Sequence, residues 1–142
     1  MTPANGTQNV TGNLTMTAGT LSGTSNITVT NAGGNVTGDG TINMTGGTFL
    51  VDGTGNFGGA AAWTFNNLTF GDGTGATATT ATGTGGVTVS NVLTIAASQT
   101  LDAKGNTWTL SGTTGTPLVI TGTLNDSADT STFSFQPTAY VK

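Results

Sequence analysis

The first third of the chain repeats one short phrase at a fixed spacing. The segments "GTQNVT", "GTSNIT" and "GTINMT" begin at the evenly spaced Gly6, Gly23 and Gly40 and share the pattern G-T-x-N-h-T, where h is an aliphatic residue. A related phrase, "GTGNFG", begins at Gly53. A unit of about 17 residues is too short for a helical repeat or a propeller blade, but it fits one coil of a β-solenoid.

In a solenoid, equivalent residues of successive coils stack about 4.8 Å apart. The aliphatic column of the repeat therefore predicts an interior ladder, and the asparagine column predicts a turn ladder whose amides bond from coil to coil. The glycine column predicts corners where the backbone needs positive φ. The three columns are Val10, Ile27 and Met44; Asn9, Asn26 and Asn43; and Gly6, Gly23 and Gly40.

Composition points to an all-β chain. Of 142 residues, 35 are threonine, 24 glycine and 13 asparagine, and there is no Glu, Arg, His or Cys. Threonine is β-branched and suits strands, whereas glycine and asparagine suit turns. Only 6% of the residues are charged, and apolar residues alternate with polar ones, so order is favoured over disorder.

We therefore predict a single-domain β-solenoid with coils of about 17–20 residues. A β-sandwich with a donated terminal strand is the alternative, because short strands at regular spacing also describe that fold. The in-register repeat of the first third favours the solenoid.

Three segments are distinguished within one continuous domain. Residues 1–60 carry the repeat coils, and residues 61–86 carry an aromatic strand pair and a low-complexity Gly/Thr connection. In the second segment the apolar parity changes across Asn66-Asn67, which predicts a bulge or corner. Its part 71–86, "GDGTGATATTATGTGG", predicts a long turn or a weak edge strand. Residues 87–142 carry alternating apolar pairs, which predict less regular coils.

The stretch "VTVSNVLTIAASQTLDAKGNTWTLSGTTGTPLVITGTLN", residues 87–125, resembles the repetitive secreted β-solenoids of bacterial surfaces. These are the filamentous-haemagglutinin-like adhesins and autotransporter passenger regions. The resemblance implies an extracellular or cell-surface protein with structural or adhesive work. The chain is far shorter than those proteins and shows no secretion module, so we expect either a removed signal or a longer precursor.

The residues needed for several function classes are missing. General acid–base catalysis needs histidine or paired carboxylates, and here six scattered Asp are the only acids. A net charge of −4 with two lysines offers no basic surface to nucleic acid. No apolar run approaches the roughly 18 residues of a membrane span. We expect a non-enzymatic protein without cofactor, nucleic-acid partner or membrane insertion.

Two kinds of modification or ligand site are suggested by short motifs. Three "DGT" segments offer carboxylates to calcium, although Asp-Gly is also an ordinary tight turn. Several N-x-S/T sequons offer glycosylation sites if the host decorates its surface proteins. The calcium candidates are Asp39, Asp52 and Asp72, and the glycosylation candidates are Asn5, Asn67 and Asn125.

The ends of the chain predict assembly. The repeat begins near the amino terminus and the last apolar strand, "STFSF", lies near the carboxy terminus, so we expect a solenoid without caps. Copies of the chain should then pair end to end into a homopolymeric extracellular filament, directly or by strand donation. The donor candidate is residues 131–142, whose anchors are Phe133, Phe135, Tyr140 and Val141.

Two alternatives stay open. The chain is otherwise a fragment of a surface adhesin, acting as a stalk or as a module that binds surface glycans. Aromatic residues exposed on one face, from among Trp63, Trp108 and Tyr140, would favour sugar binding, whereas the apolar neighbours of both tryptophans favour core positions. The second alternative is an ice-binding β-solenoid, suggested by T-x-T pairs at 15/17 and 28/30.

Overall fold

A computed structural model of the chain describes residues 6–31, 34–113 and 115–136. These residues form sixteen β-strands and no helix, so none of them belongs to a helix able to cross a membrane. The strands are β1 Gln8–Thr11, β2 Leu14–Thr15, β3 Thr20–Gly23, β4 Ile27–Asn31, β5 Val36–Gly38, β6 Thr41–Met44, β7 Thr48–Gly53, β8 Gly55–Gly59, β9 Trp63–Phe70, β10 Thr77–Ala81, β11 Val87–Ile95, β12 Gln99–Asp102, β13 Thr107–Leu110, β14 Leu118–Ile120, β15 Thr123–Asn125 and β16 Thr132–Phe135.

Every pair among these strands is parallel, and each strand pairs with its equivalents in the neighbouring turns of the chain. The fold is therefore a β-solenoid of about six turns, as the sequence predicts. The β-sandwich alternative is wrong, because it requires antiparallel sheets.

Each turn contributes a strand to each of three faces. The first face contains β3, β6, residues 63–65, residues 87–89, β13 and β16. The second face contains β1, β4, β7, residues 67–70, residues 92–95 and β14. The third face contains β2, β5, β8, β10, β12 and β15.

The coil is longer and less regular than the sequence repeat predicts. Val10 pairs with Val29, whereas Trp108 pairs with Phe133, so one turn takes up more of the chain at the second position than at the first. The predicted interior column of Val10, Ile27 and Met44 is wrong as a stack. Ile27 stacks instead between Gln8 and Phe49, and Met44 pairs with Gly23.

The repeated phrase falls on different faces, which explains this error. Its first copy ends in β1 on the second face, and its third copy forms β6 on the first face. The phrase therefore encodes a turn followed by a strand, not a whole coil. A better signal was present in Leu68–Phe70, Leu93–Ile95 and Leu118–Ile120. These short segments, "LTF", "LTI" and "LVI", are evenly spaced along the chain and stack directly on one another.

The predicted glycine column is also wrong. Gly6 and Gly23 have positive φ, 109° and 149°, as expected of corner glycines. Gly40 does not share this conformation: it packs closely on the backbone of Ala18 and Gly19. Gly23 pairs with Met44, so the three glycines do not stack.

The structure does contain an amide ladder, but mostly at other asparagines. Asn9 and Asn43 are exposed strand residues, and only Asn26 acts as predicted: its Oδ1 accepts the Thr48 N–H of the next turn at 2.9 Å. The continuous ladder runs along one corner beside the third face. There the Asn35 N–H donates to Asn13 Oδ1 at 3.1 Å, and the Asn56 N–H donates to Asn35 Oδ1 at 2.7 Å. This corner is called the amide corner below.

The core is a narrow column of stacked apolar side chains. Both tryptophans lie inside it, with Trp63 1% and Trp108 0% exposed, so they are core residues and do not form a sugar-binding face. The longest ladder on the first face contains Leu21, Ile42, Trp63, Val87, Trp108 and Phe133. We call it the tryptophan ladder.

The predicted irregularity at Asn66-Asn67 is confirmed. The side chains of β9 change parity there, and the register with β11 shifts between Val89 and Val92, as a bulge requires. The predicted edge strand in 71–86 is wrong. β10 lies inside the third face and pairs with both β8 and β12.

Candidate assembly surfaces at the ends of the solenoid

The interior ladders become half-exposed at the last turn. Phe135 and Ile120 are 38% and 44% exposed, and they are the large apolar side chains that stand out on the surface of the described residues. Both continue inward columns, because Phe135 pairs with Leu110 and Ile120 pairs with Ile95. Leu110 and Ile95 are fully buried. Their partners are exposed because no further described turn covers them. We call the outer side of β14, β15 and β16 the carboxyl-end surface.

Stacking and hydrogen bonds hold this surface in place. The Phe133 ring stacks on Trp108 at 5.8 Å with 8° between the planes, which fixes β16 on the core. The turn before β16 is closed by Asp126, whose carboxylate accepts the Gly105 N–H at 3.0 Å and the Ser131 N–H at 2.7 Å. The Ser131 N–H is the main cause that lowers the pKa of Asp126 below its ordinary value.

Asp102 anchors the same turn from the preceding coil. Its carboxylate accepts the Ser127 N–H at 2.9 Å and the Ser127 hydroxyl at 2.6 Å. These bonds, the hydroxyl first, lower the pKa of Asp102. Asp102 lies in the same column as Asn56, since both pair with Thr80. A carboxylate therefore takes over at the amide corner in the later turns.

The opposite end presents smaller side chains. The outer side of β1, β2 and β3, which we call the amino-end surface, carries the partly buried Val10 and Leu14, both packed against the core. Gly12 lies on the same edge, and a Cβ placed there would meet no atom within 4 Å. Gly23 ends β3 on this edge. The amino-end surface therefore has room at positions where the carboxyl-end surface has bulk.

The predicted donor segment is partly engaged already. Thr132–Phe135 forms β16 and pairs in parallel with β13 of its own chain, so Phe133 and Phe135 are not on a free strand. Tyr140 and Val141 lie outside the described residues. The apolar anchors that the sequence singled out at 133 and 135 belong to the carboxyl-end surface instead.

The three aspartates proposed for calcium do not converge. Asp52 and Asp72 are near each other: burial, and then the charge of Asp72, raises the pKa of Asp52. The Asp72 carboxylate is held by Thr74, whose hydroxyl and N–H donate at 2.8 and 2.7 Å and lower the pKa of Asp72. Asp39 follows β5 and lines a separate cleft with Gly58 and Thr82. The described residues hold no group of three or more His, Cys, Asp or Glu suited to a metal ion.

The glycosylation candidates differ in exposure. Asn67 is part-buried, and its amide donates to the Gly47 carbonyl at 3.0 Å and accepts from Asn91 at 2.8 Å. Asn125 is exposed on β15, at the carboxyl-end surface. Asn5 lies outside the described residues. Of the two candidates that the structure describes, Asn125 is therefore the one whose side chain is accessible to modification.

One row of hydroxyl-bearing residues runs along the outside of the first face. It continues through all six strands of that face and is interrupted by a single amide, Asn43. The row contains Ser22, Asn43, Thr64, Thr88, Thr109 and Ser134. The T-x-T pairs predicted from sequence lie elsewhere, with Thr28 and Thr30 in β4. The row was missed because its spacing follows the irregular coil length.

The chain also has shallow clefts between its turns. One, of about 420 Å³, is lined by residues 81–84 and 104–107. Lys104 is the single titratable side chain in that lining. Its lining contains no paired acid and base.

No family model, curated protein or solved structure matches this chain.

Proposed function

We propose that the chain is a structural subunit that assembles with copies of itself, end to end, into an extracellular filament. The exposed apolar ladder ends, Phe135 and Ile120, carry this proposal. Each continues a column whose other members are buried, and covering it with a further turn removes its apolar surface from water. Burial of such surface is worth roughly 25 cal/mol per Å².

The strand edges support the same proposal. Parallel strands carry N–H and C=O groups on both edges, and the outer edges of β14 and β16 pair with no other described strand. An added strand satisfies these groups, and such addition is a common basis of association. Because the end surfaces are different, the contact is heterologous and continues as a filament when it does not close.

The surface composition fits an extracellular location. Two lysines in 142 residues leave few sites for trypsin-like proteases, and a nearly neutral surface depends little on salt. These properties suit a protein that persists outside a cell. They agree with the resemblance of residues 87–125 to the secreted β-solenoids of bacterial surfaces.

Electron microscopy of the purified protein tests the proposal. At micromolar concentration we expect uniform unbranched fibres, and their fibre diffraction should show a reflection at about 4.8 Å along the axis. The double variant Ile120→Asp/Phe135→Asp should remain monomeric, because it places two charges in the contact. The control Ala78→Asp/Ser90→Asp places the same charges at exposed positions in the middle turns and should still form fibres. Monodisperse wild-type particles at every concentration would contradict the proposal.

A second candidate is binding to an ordered surface such as ice. The row of hydroxyls on the first face favours it, since hydroxyls at about 4.8 Å intervals form a regular uncharged array. If this function holds, the wild type should inhibit ice recrystallisation. Thr64→Lys/Thr88→Lys should abolish the inhibition, whereas Thr80→Lys on the third face should not. An inactive wild type rules this candidate out.

A further inference from the structure

We infer that the two ends dock in one specific register, in which each strand column of one copy continues into the same column of the next. This inference rests on the proposed end-to-end assembly and specifies its contact.

The order of the faces at the two ends is complementary. The described strands begin on the second face, with β1, and finish on the first face, with β16. Counted from β1, each turn runs from the second face through the third to the first, so β1, β2 and β3 form the first turn and β14, β15 and β16 form the sixth. When one copy follows another, the first-face strand β16 is followed by the second-face strand β1 of the next copy, which is the order of faces within the chain. Six complete turns then repeat without a gap.

This arrangement pairs β14, β15 and β16 with β1, β2 and β3 of the next copy. On the first face, the tryptophan ladder continues from Phe133 to Leu21 of the next copy. On the second face, the column that contains Ile95 and Ile120 continues to Val10 of the next copy. A shift by one residue would turn these apolar side chains outward, so the register is strongly constrained.

The sizes of the facing side chains support the same register. Phe135 would lie against Gly23 of the next copy, because both belong to the column that contains Met44 and Leu110. Leu124 would lie against Gly12 of the next copy, where a Cβ has no neighbour within 4 Å. The large side chains of the carboxyl-end surface therefore lie against positions of the amino-end surface where glycine leaves space. A shift by two residues would place Phe135 against Leu21 and lose this match.

The amide corner supports the register independently. Asn125 occupies the column of Asp102, Thr80 and Asn56. In the docked pair it would lie directly before Asn13 of the next copy, the first member of the amide ladder. The Asn125 Oδ1 is then placed to accept the Asn13 N–H, as Asn35 Oδ1 accepts the Asn56 N–H within one chain. The ladder would continue across the contact.

Engineered disulfides test the register, because the chain contains no cysteine. Ser22 and Ser134 lie in the outward row of the first face, and the register places them on neighbouring strands across the contact. Neighbouring strands bring paired Cα atoms about 5 Å apart, which a disulfide spans. Under mild oxidation Ser22→Cys/Ser134→Cys should form a ladder of covalent multimers on a non-reducing denaturing gel, and reduction should return it to one band.

The matched control is Thr20→Cys/Ser134→Cys, which crosslinks only if the strands are shifted by two residues. Fibres whose Ser22→Cys/Ser134→Cys chains stay uncrosslinked would overturn the register and leave the filament intact. Crosslinking of the control pair in place of the first would do the same. Absence of fibres by microscopy would overturn the filament itself, and with it the register.

Discussion

Trp63 and Trp108 occupy the same ladder and differ in one hydrogen bond. The Trp63 indole N–H donates to the Gly40 carbonyl at 2.9 Å. The Trp108 N–H is buried and has no hydrogen-bond partner among the described residues. A buried N–H without a partner costs about 1–3 kcal/mol, so two side chains of equal size contribute differently to stability.

Phenylalanine substitution should expose this difference. Both changes remove similar apolar volume, but Trp63→Phe also loses the bond to Gly40, whereas Trp108→Phe removes a group that had no partner. We expect the free energy of unfolding to fall by about 1–3 kcal/mol more in Trp63→Phe. Urea unfolding followed by circular dichroism, in the Ile120→Asp/Phe135→Asp background, measures this. Equal losses, or a larger loss in Trp108→Phe, would contradict it.

Within a strand, alternation in the sequence predicts which side chains face the core. Trp108 and Leu110 alternate with threonines and form β13, and the parity change at Asn66-Asn67 marks the bulge. Alternation is local, so the sequence carries it directly. The stacking of strands was not predictable in the same way. It depends on how much chain each corner takes up, and this amount grows between the turn that follows Val10 and the turn that follows Trp108.

At this corner, two different chemical groups accept hydrogen bonds from the backbone of the next turn. Asn13 and Asn35 accept N–H groups of the next turn through neutral amides, whereas Asp102 accepts them from Ser127 through a carboxylate. Acid therefore does not change the charge of this corner in the earlier turns, whereas in the later turns it protonates Asp102. The end surface that contains β16 depends on a titrating group.

This difference predicts acid sensitivity at the carboxyl end. Asp102 has a lowered pKa in the folded chain, so its stabilisation is complete above the ordinary value of 3.8 and is lost as the pH falls through the folded pKa. Asp102→Asn should therefore be less stable than wild type at neutral pH, and the difference should shrink as the pH is lowered below about 4. Because Asp52 shifts in the opposite direction, the comparison with the variant is needed to isolate Asp102.

Urea unfolding of both proteins from about pH 2 to pH 6 gives this difference directly. Hydrogen exchange at neutral pH shows where it acts: we expect the β16 amides to exchange faster in Asp102→Asn than in wild type, and the β4 amides to exchange equally in both. A difference between the two proteins that stays constant with pH would contradict the role of Asp102.

At the scale of the whole molecule, the described chain is a stack whose interior changes from turn to turn. Aromatic rings fill the middle turns, where Phe49 and Phe65 meet at 5.1 Å and Phe57 and Phe70 also meet at 5.1 Å. The fold class could be predicted from composition and repetition, because neither depends on the exact number of residues in each coil. The end surfaces could not be predicted, because the exposure of Phe135 and Ile120 depends on which residues stack above them.

The parallel direction of every strand has a consequence for growth. A filament built from such subunits is polar: one tip always presents β14, β15 and β16, and the other always presents β1, β2 and β3. Each subunit would add about 29 Å of length, from six turns of about 4.8 Å. The two tips expose different chemistry, one bulky and acid-sensitive and the other small and amide-lined. They should therefore elongate at different rates, and a molecule that blocks one tip would leave the other free to grow.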